Sequence, residues 1–202
     1  MTPTKYIMSF TAGALLYHES VKLAELYSSC RQWDEVKRMA ITENVIQARA
    51  ISTLQRITSE IIARLKNLSL QEITFITTSG YTEQKYVLWL AVCRRYKFIA
   101  DFVVDIVYNN FVSLKTTVTY DDYNAFFNNK AEWHSEVDAV TPSTRQKLRN
   151  TLFQMLREAG LLDKKNTIIP LLPSPAFQSV LSAMAERERL FFPLSELARK
   201  AK

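Results

Sequence analysis

The sequence contains few of the residues from which catalytic and metal sites are built. Among 202 residues there are three glycines, two cysteines and two histidines. Three scattered glycines do not form a phosphate-binding loop, and neither a dinucleotide-binding motif nor a nucleophile elbow is present. His18 and His134 lie far apart, without further ligands at the short spacings that metal sites use. We therefore expect no enzymatic activity, no cofactor and no metal ion.

Cysteine pairs and long apolar runs are also missing. Cys30 and Cys93 stand alone, which argues against a disulfide framework and favours a cytoplasmic protein. The longest apolar run, 87–93, is far shorter than the roughly 20 residues that a membrane-spanning helix needs. We expect no export signal, no membrane anchor and no membrane span.

The positive charge is concentrated in the last third of the chain. The protein has 26 Lys and Arg against 20 Asp and Glu, and residues 139–202 hold 11 of these basic residues but only 5 of the acidic ones. The preceding residues are therefore neutral overall. A basic segment next to a neutral body favours a polyanionic partner, because Lys and Arg neutralise phosphates. The alternative is a surface charge that serves only solubility.

The pattern of apolar residues predicts a mainly α protein, with a helical bundle over residues 1–112. Thr11 is a candidate N-cap for the first helix, and Ser69 with Glu72 forms a capping-box pattern. The helix over residues 83–96 is apolar on most sides and is expected to be central and buried. The predicted helices cover residues 12–28, 33–41, 46–67, 70–78, 83–96 and 97–113.

Residues 113–202 predict a winged-helix-like basic module with a small β-hairpin. A weak strand at 115–119 precedes a helix at 120–130, which Thr119 can cap. Thr141 and Pro142 open a second helix that runs to Ala159, and Gly160 is expected to adopt a left-handed conformation. A hairpin over 161–169, a helix over 176–190 and a short basic tail after Pro193 follow.

In a winged helix the second helix of the pair enters the DNA major groove. The first two turns of that helix and the turn of the hairpin therefore supply the candidate nucleic-acid-binding residues, namely Ser143, Thr144, Arg145, Gln146, Lys147, Arg149, Lys164 and Lys165. Many winged helices bind only protein, so the module also fits a protein-docking role.

A second helix-turn-helix pattern lies upstream, where a helix over 33–41 is followed by polar and basic residues. Arg49, Ser52, Thr53 and Arg56 are its candidate nucleic-acid contacts. The alternative is an ordinary α-hairpin that packs against the helix at 83–96.

In the loop after residue 130, Trp133 is expected to anchor in the core.

Four stretches carry a family resemblance: MSFTAGALLYHES (8–20), EQKYVLWLAVCRRY (83–96), AFFNNKAEWH (125–134) and MLREAGLLD (155–163). Together they resemble the BrxA family, small accessory components of BREX bacteriophage-exclusion systems. The resemblance implies a small, mostly helical, cytoplasmic, non-enzymatic DNA-binding protein. It would act beside a methyltransferase, an ATPase, a phosphatase-like protein and a protease-like component. The family offers no DNA-contact signature that can be transferred residue by residue.

The sequence therefore favours an accessory protein that binds double-stranded DNA, mostly through phosphates and with limited sequence preference. Two alternatives remain open. One is an adaptor that docks a larger BREX subunit through the winged helix, and the other is an RNA-binding helical protein.

Overall fold

The computed structural model describes residues 5–195, and this part of the chain is mainly helical, as predicted. A π-helix, Val103–Tyr108, joins the α-helical segments Lys97–Phe102 and Asn109–Val112 without a break, so the single helix predicted over 97–113 is confirmed as one helical segment. The helices are α1 Tyr17–Cys30, α2 Trp33–Thr42, α3 Ile51–Leu65, α4 Leu70–Thr78, α5 Tyr81–Arg95, α6 Lys97–Phe102, α7 Asn109–Val112, α8 Tyr120–Ala131, α9 Ser135–Asp138, α10 Pro142–Glu158, α11 Pro175–Ala183 and α12 Glu186–Arg189.

The chain packs as two compact units. One unit is Ala12–Arg95, and the other joins the N-terminal segment up to Thr11 to the chain from Tyr96 onward. The chain thus passes from one unit to the other twice, after Thr11 and after Arg95. The sequence predicts a division into domains at 1–112 and 113–202, and this division stays a prediction.

The unit Ala12–Arg95 is built around α5. Residues 87–93 of this helix are all buried, which confirms the predicted central helix. The capping box at the start of α4 is also confirmed, because Ser69 Oγ accepts from Glu72 N at 3.2 Å and Ser69 N donates to Glu72 Oε2 at 2.7 Å. Arg94 of α5 donates to both carboxylate oxygens of Glu72, at 2.7 and 2.9 Å. The cap therefore also joins α4 to α5.

Two predicted helix starts in this unit are wrong. The helix expected from Ala12 begins at Tyr17, because Leu16 adopts a left-handed conformation with φ 55° that cannot continue a helix. The helix expected from Ile46 begins at Ile51. Asn44 and Gln47 both have positive φ, and the Asn44 side chain bonds the backbone N–H and C=O of Ala48 at 2.9 and 3.1 Å. This local bonding competes with helix formation.

The core of the other unit is aromatic. The Phe98 ring packs edge-to-face against Phe126, Phe127 and Tyr6, with ring centroids 5.2, 5.9 and 5.5 Å apart. The Tyr6 hydroxyl donates to buried Asp101 at 2.7 Å, and the backbone N–H of Tyr6 donates to Glu136 Oε1 at 2.6 Å. Tyr6 and Phe10, which precede the first helix, are therefore part of this core.

Within the same unit, α8, α9 and α10 are followed by a short hairpin. Thr119 caps α8 as predicted, with its hydroxyl accepting from Asp122 N at 3.1 Å. Antiparallel bridges pair Leu162 with Ile168 and Thr117 with Thr167. Across residues 5–195 the β structure consists of isolated bridges and no sheet forms, so the predicted winged-helix-like module with a β-hairpin is not confirmed.

Two further expectations in this unit are wrong. The helix predicted over 176–190 ends at Ala183, where Met184 turns extended and Arg189 donates to the carbonyls of Ser182 and Met184 at 3.1 and 3.3 Å. Trp133 is not a core anchor, because it is 74% exposed. Its neighbour His134 takes the inner position, with its ring centroid 4.3 Å from that of Tyr6. Most of the predicted basic tail, residues 196–202, lies outside the described residues.

Gly160 has the predicted left-handed conformation, with φ 78° directly after α10. A β-branched side chain is strained at positive φ. We expect Gly160→Val to lower the free energy of unfolding by about 1–2 kcal/mol. Thermal denaturation monitored by circular dichroism would measure the loss, and a melting temperature equal to the parent's would contradict it.

Candidate nucleic-acid interface

The N-terminal end of α10 presents backbone donors and no negative charge. Thr141 is the N-cap, and its hydroxyl accepts from Thr144 N at 3.3 Å, while Pro142 occupies the first turn. The first acidic residue in α10 is Glu158, at the last position. The partial positive charge of the helix N-terminus is therefore not neutralised by a carboxylate of α10.

The predicted contacts on α10 fall on two different sides of the helix. Ser143, Gln146 and Lys147 are exposed, whereas Thr144 is half-buried and its hydroxyl accepts from Thr141 Oγ1 at 2.9 Å. The opposite side is buried and carries Leu148, Leu152, Phe153, Met155 and Leu156.

Arg145 and Arg149 lie toward α8, both half-buried. Arg145 Nη2 donates to the backbone carbonyl of Asn124 at 3.1 Å, and its guanidinium stands 4.4 Å from the centre of the Phe127 ring. The Arg149 guanidinium stands 4.3 Å from the centre of the Tyr120 ring. These cations pack α10 onto α8, and their role as DNA contacts stays a prediction.

Because Arg145 packs against α8 and Lys147 is exposed, substitutions of the two residues should affect stability differently. We expect Arg145→Ala to destabilise the protein by about 1–2 kcal/mol, because a cation–π contact and a hydrogen bond to Asn124 are lost. Lys147→Ala, at an exposed position, should change stability by no more than about 0.5 kcal/mol. Urea denaturation of the two variants measures the difference. Equal stability would show that the Arg145 contacts contribute nothing to the fold.

The turn that follows Asp163 presents two exposed lysines, Lys164 and Lys165. Asp163 organises this turn, because its Oδ1 accepts from Thr167 N at 2.8 Å and from Lys165 N at 2.7 Å. These hydrogen bonds, first the one from Thr167, lower the pKa of the Asp163 carboxyl from its usual value. The carboxylate therefore stays ionised and holds the turn at neutral pH.

A side-chain contact joins the hairpin to α10. Arg157 Nη1, near the end of α10, donates to Asn166 Oδ1 in the hairpin turn at 2.8 Å. Asn166 has φ 61°, and its carbonyl accepts from Val118 N at 3.0 Å. The turn that carries the two lysines is thus fixed by hydrogen bonds from Arg157 of α10 and from Val118. Sequence reasoning missed this link, since neither residue belongs to a recognisable motif.

The predicted contacts of the upstream pattern all lie on the surface of α3 or just before it. Arg49, Ser52, Thr53 and Arg56 are exposed, and their spacing places them on one side of the helix. Residues 43–50 separate α2 from α3, a longer connection than the three or four residues typical of a helix-turn-helix.

An open cleft of about 460 Å³ lies between α2 and α3. Ser52 and Arg56 contribute to it, and Lys37, which the sequence pattern did not single out, adds a second cation. Its other lining residues are Ile41, Gln55 and Ser59. None of these lining residues is acidic, which would favour an anion such as phosphate. Phosphate contact at this surface stays a prediction.

The described residues contain neither a metal-binding cluster nor a membrane-spanning helix. Between residues 5 and 195 there is no group of three His, Cys, Asp or Glu side chains that could hold a metal ion. No helix in that range is long and apolar enough to cross a membrane.

Solved structures confirm the architecture. The fold superimposes on the crystal structure of an uncharacterized protein from Magnetospirillum magneticum with a TM-score of 0.79, covering 95% of this chain and 99% of that one. The two sequences are 19% identical, so the likeness concerns the fold.

Sequence comparison identifies relatives along most of the chain. A BREX protein BrxA from Bacillus cereus (strain H3081.97) is 29% identical over 157 residues, which is 78% of each chain. A BREX protein BrxA from Escherichia coli O9:H4 (strain HS) is 23% identical over 185 residues, covering 91% of this chain and 87% of the relative. The BrxA family model matches residues 4–185. The chain therefore belongs to the BrxA family.

Proposed function

We propose that this protein is a non-enzymatic accessory component of a BREX phage-defence system and binds double-stranded DNA through the module formed by α8, α9, α10 and the hairpin. The order of a bridge-forming segment, three helices and a turn closed by one antiparallel bridge is compatible with a winged helix and supports this proposal. Membership of the BrxA family supports the defence role, since its relatives are named as BREX proteins.

One observation carries the proposal. Lys147 on the exposed side of α10 and Lys164 and Lys165 in the hairpin turn are exposed, and within residues 5–195 none of these ammonium groups is in an ion pair. Other lysines of this unit are engaged, such as Lys115 with Asp122 at 2.7 Å and Lys130 with Asp105 at 3.0 Å. Cations outside such ion pairs are available for phosphates, where they displace condensed counterions; of the three, Lys165 also interacts electrostatically with Asp163.

Recognition would combine two contacts. The N-terminal half of α10 would enter the major groove, as the recognition helix does in helix-turn-helix proteins. The lysines of the hairpin turn would contact backbone phosphates as point charges, and the Arg157–Asn166 hydrogen bond would hold the turn in place.

The test is a set of fluorescence-anisotropy titrations with duplex DNA, single-stranded DNA and RNA of equal length at several salt concentrations. We expect the tightest binding to the duplex, with an affinity that falls steeply as salt rises. Preferential binding of RNA would support the RNA-binding alternative instead. No binding to any nucleic acid at low salt would refute the proposal.

A protein-docking role is a second candidate, because Trp133 and Leu172 of the same unit are each 74% exposed. Large apolar side chains on a surface often anchor partner proteins. Co-purification with co-produced BREX components tests this role. We expect Trp133→Ala to reduce recovery of a partner if the module is an adaptor, and equal recovery would exclude Trp133 as its anchor.

A further inference from the structure

The exposed side of α10 carries amide groups. Ser143, Gln146, Lys147 and Asn150 are exposed and recur at helical spacing on the side opposite the buried Leu148 and Leu152. Two of these four residues end in carboxamides. Within the described residues neither the Gln146 nor the Asn150 side chain has a hydrogen-bond partner in the protein.

The two arginines that could read guanine from this helix point elsewhere. Arg145 is bonded to Asn124 and stacked on Phe127, and Arg149 is stacked on Tyr120. A bidentate guanidinium contact to guanine would require these side chains to leave α8. The helix face that is free to enter the groove therefore offers carboxamides and one ammonium group, Lys147.

The chemistry of these groups selects a base. In the major groove, Asn and Gln pair bidentately with adenine, accepting from N6 and donating to N7, whereas Arg is the usual partner of guanine. Building on the proposed duplex binding, we propose that α10 recognises A·T base pairs through Gln146 and Asn150. Recognition by these residues goes beyond purely phosphate-based binding.

The spacing of the two carboxamides limits the site. Gln146 and Asn150 are one turn apart, which is about 6 Å along the helix axis. Base pairs follow one another every 3.4 Å or so along the duplex. The two adenines are therefore expected within about two base-pair steps of each other.

Gln154 provides a matched control on the same helix. It is exposed, like the other two amides, but its Nε2 donates to Glu158 Oε1 at 2.8 Å and it lies a turn further from the N-terminal end. Recognition helices contact bases mainly through their N-terminal residues. Gln154 therefore has the same side chain as Gln146 but lies too far along the helix to be an expected base contact.

The first experiment selects duplexes from a random library with the full-length protein and sequences the bound fraction. We expect enrichment of two closely spaced A·T pairs. The selected duplex is then synthesised with 7-deazaadenine, which keeps Watson–Crick pairing but removes the N7 acceptor. We expect its affinity to fall about tenfold for each contacted adenine replaced.

The second experiment repeats both measurements with Gln146→Ala/Asn150→Ala and with Gln154→Ala. The double variant should lose the difference between the selected and a scrambled duplex, whereas Gln154→Ala should retain it. Duplex binding without base preference, a preference for G·C pairs, or a preference that survives in the double variant would overturn the assignment while leaving duplex binding intact. Failure to bind any duplex would overturn the proposed function as well.

Discussion

Replacing Lys147, Lys164 and Lys165 together by glutamate is expected to abolish duplex DNA binding at moderate salt. Each lost phosphate contact should reduce the slope of log affinity against log salt by about 0.9, so three contacts give a reduction of about 2.7. At 0.1 M salt this corresponds to a loss of two to three orders of magnitude, and the new carboxylates add repulsion. Anisotropy titrations from 50 to 300 mM salt would measure both affinity and slope.

The matching control changes the same net charge elsewhere. Lys5, Arg31 and Lys66 are exposed and lie outside α10 and the hairpin. Their replacement by glutamate should reduce affinity far less if the phosphate contacts are made by α10 and the hairpin turn. If both triple variants lose affinity equally, binding depends on net charge rather than on this surface. If neither loses affinity, the surface of α3 around Arg49 and Arg56 becomes the leading candidate.

The sequence locates the charged segments of the candidate site but does not orient their side chains. The helix at 142–158 and the lysines at its following turn are confirmed where the pattern predicts them. Whether Arg145 faces solvent or α8 depends on Phe127 and Asn124, which belong to a different helix. Such contacts between elements leave no periodic signal along the chain, so the separation of Arg145 from Lys147 required the structure.

The fold shows the same limit at the start of α1. The spacing of apolar residues predicts a helix from Ala12. The structure instead keeps residues 12–16 out of the helix, with Leu16 left-handed. The carbonyl of Ala14 accepts from Arg64 Nη1 at 2.7 Å, and that of Gly13 accepts from Nη2 at 3.3 Å. A residue 50 positions away thus satisfies carbonyls that helical bonding would otherwise use.

Arg64 is accordingly expected to be among the most sensitive positions for stability. It is buried, and its Nε donates to Glu60 Oε1 at 2.6 Å. Arg64→Met should lower the free energy of unfolding by about 3–5 kcal/mol, because it removes the ion pair with half-buried Glu60 and the hydrogen bonds that Arg64 donates to the two carbonyls. Urea denaturation followed by circular dichroism would measure this loss.

Two further variants separate the buried charge from simple loss of an arginine. Arg56 lies on the exposed side of the same helix and makes a long, exposed hydrogen bond of 3.4 Å to the Ala12 carbonyl, so Arg56→Met should change stability by no more than about 0.5 kcal/mol. Arg64→Met/Glu60→Met should be more stable than Arg64→Met alone, because it also removes the carboxylate that loses its ion pair with Arg64. If the double variant is less stable than the single one, Glu60 interacts independently of Arg64. The stability lost in Arg64→Met would then come from the hydrogen bonds to the carbonyls of Gly13 and Ala14. These hydrogen bonds would also determine where α1 begins.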